Sequence, residues 1–337
     1  MKPCRDHSEE LPWWANMLFL TEENVQELLS MTTAIELVQT SFLAQHRGAG
    51  INGPRQRIFL PSVSLHYMAA GYTDERLVGM KVYSVSNSAL RFLVLLYDGE
   101  SGELIALLEA DHLGRIRTGA ASGVATRHLA RADASRVGVI GTGRQARTQL
   151  EAVARVRKLE SARVFSRDRG RRATFAREMT THLQIPVEAT DTAESVVRFA
   201  DIVITATNSR DPVLKGEWLR PGTHVNAIGA NMFNRRELDD AALSRAAIIA
   251  VDTIEQAREE AGDLLLGLGA VRGGWSGVVE LHEIVAGARP GRCSTEEITI
   301  FKSSGIALWD VIAAGYVYRQ AMDRSKGQKL QILAAVE

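Results

Sequence analysis

Several features that would place a chain in a special environment are scarce here. There are only two cysteines in 337 residues, Cys4 and Cys293, too few and too far apart for a disulfide framework or a thiolate metal cluster, and they suit a reducing compartment. Charge of one sign is missing too. The 40 basic and 40 acidic residues cancel, which leaves no electrostatic footprint for nucleic acid or a membrane surface. No apolar run is long enough to span a bilayer. The first residues, MKPCRDHSEELPWWANM, have mixed charge and lack the apolar core of a secretory signal. Internal repeats and low-complexity tracts are missing, and the eight histidines are scattered, so metal catalysis is not expected. These absences lead us to expect a cytoplasmic protein of one or two domains with a substantial core.

What is present centres on Arg136 to Leu150, RVGVIGTGRQARTQL. Val137, Val139 and Ile140 make a short strand-like run, and Gly141, Thr142, Gly143 and Ala146 follow before a helix-forming stretch from Arg144 to about Arg155. G-x-G-x-x-A between a strand and a helix is the dinucleotide-binding fingerprint in its expected context. Gly141 permits the tight turn, Gly143 lets the backbone approach a pyrophosphate, and Ala146 lets the helix pack on the strand. The free N–H groups at the helix start then face the phosphates.

Before this stretch the pattern is mixed. Residues 1 to 17 read as an extension whose Trp13 and Trp14 pack on a surface. Thr21 caps a first helix, Thr32 or Thr33 starts a second, and Gly48, Gly50, Gly53 and Pro54 end it. Alternating runs at 57–60, 63–69, 77–86, 91–98 and 103–109 predict a meander of about five strands. Residues 111–129 read as an Ala-rich helix. After 134 strands and helices alternate, with strands expected at 136–140, 162–166, 201–205, 223–228 and 247–251. Thr205, Ala206 and Thr207, then Asn231, fall where strand ends open toward the cofactor crevice. Ile298 to Leu308 leads into a long helix from about Gly305 to Met322, and the tail is expected to fold back on the first domain.

Six segments together resemble the ornithine cyclodeaminase/mu-crystallin family: Pro54-Arg55, Gly79-Met80-Lys81, Arg117-Thr118-Gly119-Ala120-Ala121-Ser122, the glycine loop, Asn234 to Asp239 (NRRELD), and Phe301-Lys302-Ser303-Ser304-Gly305. The resemblance runs from about residue 18 to 320. It implies an α/β fold in which a doubly wound parallel Rossmann sheet (131–304) is inserted into an α+β substrate-binding and dimerisation domain (1–130 plus 305–337). It also implies a homodimer, a nicotinamide cofactor and a small amino or imino acid substrate, with no nucleic acid or membrane partner.

By the same resemblance Arg55, Lys81 and Arg117 are the basic substrate-binding positions. The chemistry agrees, since guanidinium groups bind a carboxylate bidentately and an ammonium adds a point charge. Ser303 joins them. Thr118, Gly141, Thr142, Gly143, Arg144, Gln145, Ala146, Thr205, Ala206, Thr207, Asn231 and Lys302 are expected at the cofactor, with Lys302 at its nicotinamide end. The second strand of the nucleotide unit ends in Ser166 and Arg167, not the acid that usually holds a ribose 2′-OH, and this favours NADP(H) ahead of NAD(H). Asn231 departs from the family's G-x-D pattern, and an amide cannot act as a general base. Catalysis is therefore expected from Lys81, Arg117 and Asn231 in reducing an α-imino acid, such as pyrroline-2-carboxylate or iminosuccinate. An ornithine cyclodeaminase-type lyase with recycled NAD is one alternative; a mu-crystallin-like binding protein is another.

Overall fold

The computed structural model describes residues 17–330. In chain order the elements are β1 (Met17–Leu20), α1 (Glu22–Leu28), α2 (Met31–His46), β2 (Gly50–Asn52), β3 (Gln56–Phe59), β4 (Val63–Tyr72), β5 (Leu77–Ser86), β6 (Leu90–Asp98), β7 (Leu104–Glu109) and α3 (Asp111–Leu129). Then follow β8 (Arg136–Ile140), α4 (Arg144–Val156), β9 (Ser161–Phe165), α5 (Arg169–Leu183), β10 (Val187–Ala189), α6 (Ala193–Phe199), β11 (Ile202–Thr205) and β12 (His224–Ala227). The chain continues through α7 (Asp240–Arg245), β13 (Ala246–Val251), α8 (Ile254–Glu260), α9 (Gly262–Gly267), β14 (Val278–Glu280), α10 (Leu281–Val285), β15 (Ile298–Lys302), α11 (Ala307–Asp323) and β16 (Gln328–Leu330).

Strands β1–β7 and β16 form the first eight-stranded sheet, in the order β16-β1-β7-β6-β5-β4-β2 with β3 paired to β4. The meander is antiparallel, whereas β1 runs parallel to β7. One face packs on α11, α2 and α3, where Phe42 and Trp309 meet edge to face at 5.6 Å. On the other face Ile58, Leu65 and Val78 stay exposed. Thr21 caps α1 as expected. The cap of α2 is Ser30, which accepts the Thr33 N–H, not Thr32 or Thr33. That helix ends at His46, and Gly50 lies in β2, not in its terminator. The tail does return: β16 pairs with β1. Trp13, Trp14 and Cys4 lie outside the described residues.

The second sheet is parallel throughout, in the order β10-β9-β8-β11-β12-β15-β13-β14. Helices cover both faces: Ala146 and Leu150 of α4 pack under Val137 and Val139, while Val196 and Val197 of α6 pack opposite with Ile140 and Val203. This is the doubly wound α/β fold expected. Three of its strands, β10, β14 and β15, escape the sequence pattern. β15 is the informative one, because it sits between β12 and β13 and is buried along its whole length. A strand covered on both faces has no alternation to read, and its apolar run merges with the helix that follows.

Candidate active site

A cleft of about 860 Å³ lies between the two sheets. The carboxyl ends of β8, β9, β11 and β12 open into it on one side, and β4, β5, β6 and the first turns of α3 face it from the other.

The nucleotide side is built by the glycine loop. Gly141 has φ +109°, and a Cβ there would stand 2.4 Å from the Ala206 carbonyl oxygen, so only glycine fits. Gly143, the N-cap of α4, has an ordinary extended backbone, yet a Cβ on it would meet nothing within 4 Å. The space above it is a cradle that a side chain would fill, and the first N–H groups of the thirteen-residue α4 open beside it. Thr142 donates to the Ser166 hydroxyl at 3.0 Å, which ties the loop to the end of β9. Arg144 pairs with Asp111, the first residue of α3, and Gln145 lines the cleft with a buried amide oxygen that has no hydrogen-bond partner among the described residues. These residues fit a dinucleotide. Ser166 and Arg167 line the far end with Asp168 and Arg171. The Asp168 carboxylate caps α5 by accepting the Arg171 N–H at 2.9 Å.

Three expected cofactor residues do not line the cleft. Ala146 is buried in the α4–sheet core. Thr205 is buried below the crevice and donates to Glu237 at 2.9 Å, while the next two residues, Ala206 and Thr207, line the cleft. Lys302 is buried as well: it forms an ion pair with Asp263 at 3.2 Å and donates to the carbonyls of Ala227 and Ala230. A buried ammonium needs a carboxylate and carbonyl acceptors, and the sheet interior provides both, so Lys302 supports the floor from beneath. Glu237, of the NRRELD segment, joins two crevice loops. It accepts from the Thr207 N–H (2.6 Å) and hydroxyl (2.7 Å) and from the Gly229 N–H (2.7 Å). Burial, and then nearby Asp263, push its carboxyl above the usual range.

The opposite side gathers the basic residues. Lys81 of β5 and Arg117 of α3 both donate to one oxygen of Asp310, at 2.8 and 3.1 Å, and Asp310 is completely buried. Its second oxygen has no hydrogen-bond partner among the described residues. Burial, followed by repulsion from Arg117, lowers the Lys81 pKa to about 8, against the pull of Asp310. Arg55 pairs with Glu260 and donates to the carbonyls of Ser304 (2.9 Å) and Gly305 (3.2 Å). Arg57 shares Glu260 and donates to the Asn231 carbonyl, but of the two arginines only Arg55 lines the cleft. Each of the three expected substrate cations thus has a structural ion pair as well as an open side.

The turn 303–305 is fastened by Asp252. One of its oxygens accepts from the Ser303 hydroxyl (3.0 Å) and the N–H groups of Ser304 (2.7 Å) and Gly305 (2.6 Å). Burial raises its pKa to about 6 in spite of these bonds. Gly305 has φ +83°, and a Cβ would lie 2.8 Å from an Arg117 nitrogen. Ser303, Thr118 and Asn231 all line the cleft, and the Asn231 side chain makes no hydrogen bond among the described residues. His66 does not line it; it is stacked on Tyr83 at 4.6 Å, and burial, then Arg57, lower its pKa to about 4.

The sequence reading gave no role to Asp310, Glu260, Asp252 or Glu237, although Glu237 lies in the NRRELD segment it singled out. For Asp310 a signal was available, a lone acid in the apolar run Ile306 to Ala314. For Glu260, in a polar stretch with other acids, there was none.

A model of the ornithine cyclodeaminase/mu-crystallin family matches residues 15–325. The chain is 33% identical over 326 residues to a Δ1-pyrroline-2-carboxylate reductase of Bacillus cereus, covering 94% of this chain and 100% of that one. Its fold is similar to that of a Thermococcus litoralis Δ1-pyrroline-2-carboxylate reductase solved with NADH and L-proline (TM-score 0.89, 36% identity, 93% and 100% of the two chains). It is also similar to an archaeal alanine dehydrogenase dimer with bound NAD (TM-score 0.87, 33% identity, 94% and 100%).

Proposed function

The chain belongs to the ornithine cyclodeaminase/mu-crystallin family, and on that premise we propose that it reduces an α-imino acid to the amino acid with a nicotinamide cofactor. The observation that carries this reading is the placement of Lys81, Arg117 and Arg55 beside the open ends of β8, β11 and β12, with an amide at Asn231 in place of a carboxylate.

When bound over the Gly143 cradle, the cofactor supplies a hydride to the imine carbon. The terminal guanidinium nitrogens of Arg117, which Asp310 leaves free, hold the substrate carboxylate, and Lys81 and Arg55 add charge. Lys81, with its pKa near 8, is protonated at neutral pH and close to the value suited to donation, so it or an ordered water delivers the proton to the imine nitrogen. Asn231 hydrogen-bonds that nitrogen. The cyclodeaminase alternative needs a base at position 231. Of the carboxylates at the basic end, Glu260 and Asp310 are already committed to two cations each, and Asp252 fastens the turn 303–305.

The reductase reading covers cyclic ketimines such as pyrroline-2-carboxylate and linear imines such as iminosuccinate, a range that the inference below narrows to monocarboxylates. The test is nicotinamide oxidation with these imines, alongside ammonia release from ornithine with NAD. Turnover of an imine is expected; ammonia from ornithine with no imine reduction would overturn the assignment. We further propose NADP(H) ahead of NAD(H), supported by Ser166, Arg167 and Arg171 in the cleft and by the capping role of Asp168. Arg167→Ser should cut the NADPH preference about tenfold, and equal affinities in the native protein would remove the argument. Residues 1–130 with 305–337 would form the substrate and dimerisation domain and 131–304 the cofactor domain. The apolar sheet face around Ile58, Leu65 and Val78 supports a homodimer, and the scarce cysteines support the cytoplasm.

A further inference from the structure

We infer that the site takes imino monocarboxylates carrying an apolar group of aromatic size and discriminates against imino dicarboxylates; this rests on the reductase reading above. Register between β4, β5 and β6 sets side chains in rows on the cleft face. Met68, Lys81 and Val94 are opposite one another, and the next row holds His66, Tyr83 and Phe92. The polar row therefore gives way to an aromatic one within a single pleat repeat. The Phe92 ring centroid lies 5.3 Å from the Lys81 ammonium and 5.0 Å from the Tyr83 ring. Met68, Tyr83, Phe92 and, one row further, Leu90 line the cleft beyond the basic cluster; the cation at the far end of the His66 row, Arg57, does not line the cleft and is paired with Glu260.

Charge at the basic end is nearly balanced. Arg55, Arg57, Lys81 and Arg117 face Glu260, Asp310 and Asp252, four cations against three carboxylates. The surplus is one unit, which matches one substrate carboxylate. The other cations of the cleft near α3, Arg115 and Arg144, are tied to Asp111 at the nucleotide loop. A second carboxylate on the substrate would have to enter the apolar wall and lose its water without a partner. A phenyl or alkyl group there would instead contact Phe92 and Tyr83 at ordinary stacking distances.

The test uses the full chain with NADPH and NADH and the N-methyl imines that phenylpyruvate, pyruvate and oxaloacetate form with methylamine, each with loss of water. Reduction adds hydride to the imine carbon and a proton to nitrogen, giving the N-methylamino acid and the oxidised cofactor. Pyrroline-2-carboxylate is run beside them. We expect kcat/KM for the phenylpyruvate imine to exceed that for the oxaloacetate imine by about tenfold or more, and Phe92→Ala to shrink that ratio by about fivefold. A ratio of one or below in the native protein overturns the inference, as does an unchanged ratio in a folded Phe92→Ala variant. If pyrroline-2-carboxylate is reduced and the phenylpyruvate imine is not, the inference falls and the reductase reading stands. If nothing is reduced, both fall.

Discussion

Replacing Asp310 by Asn removes one negative charge from a completely buried position where two cations share a single oxygen. The amide keeps the shape and can still accept one hydrogen bond, so the change is mainly electrostatic. Removing one partner of a buried ion pair typically costs about 3–5 kcal/mol, because the other charge is left uncompensated. Spread over a chain of this length, that corresponds to a fall in Tm of about 5 °C. The sharper consequence concerns Lys81. Asp310 is what raises its pKa against burial and Arg117, and the balance now stands at about 8. Without the carboxylate, Lys81 loses its proton at lower pH. In the proposed mechanism the ammonium binds the substrate carboxylate and donates a proton, so kcat/KM should fall as Lys81 deprotonates. In the native protein that alkaline limb should lie near pH 8; in Asp310→Asn it should move down by about one unit or more. Asp310→Glu keeps the charge and should keep the limb nearer its native place. The assay is a pH profile of kcat/KM for imine reduction, with thermal melts of the same samples. An unmoved limb together with an unchanged Tm would refute the argument that Asp310 holds these cations.

Gly143→Ala puts a Cβ into the cradle with no protein atom within 4 Å, so Tm should fall by no more than about 2 °C while NADPH and NADH dissociation constants rise about tenfold or more by calorimetric titration. Lys302→Met breaks a buried pair outside the cleft; Tm should drop by about 5 °C with cofactor affinity changed less than about threefold, and the reverse pattern would return Lys302 to the cofactor site. Asp252 has a folded pKa of about 6, above the ordinary 3.8, so its protonated form favours folding. That contribution is fully present below about pH 4 and is lost as pH rises through about 6, a span worth roughly 3 kcal/mol. Asp252→Asn should lack this slope, and urea unfolding of both proteins across the window would show the difference; parallel curves would contradict it.

What was legible in the sequence was local. The glycine loop, the Thr21 cap, the strand 77–86, most of β4 (read as 63–69) and the helix 111–129 each announce themselves within a few residues. The basic cluster was legible through resemblance, and it does meet in one cleft. What could not be read was pairing over distance. Asp310 lies 229 residues from Lys81, and Glu260 lies 205 from Arg55. Nothing near either acid says which cation it will find. The errors at Thr205 and Lys302 have a shared cause: at the end of a buried strand, adjacent residues point to opposite sides, and spacing alone does not say which one reaches the crevice.

The shared carboxylate also imposes an order on the chain's making. Lys81 and Arg117 leave the ribosome long before Asp310, and β16, which borders β1, comes later still. The nascent first sheet therefore carries two cations meant for burial and no anion to bury them with, while the nucleotide-binding sheet between 136 and 302 already has all its strands. The middle of the chain can close first, and the amino-terminal third must stay hydrated until the last helix arrives.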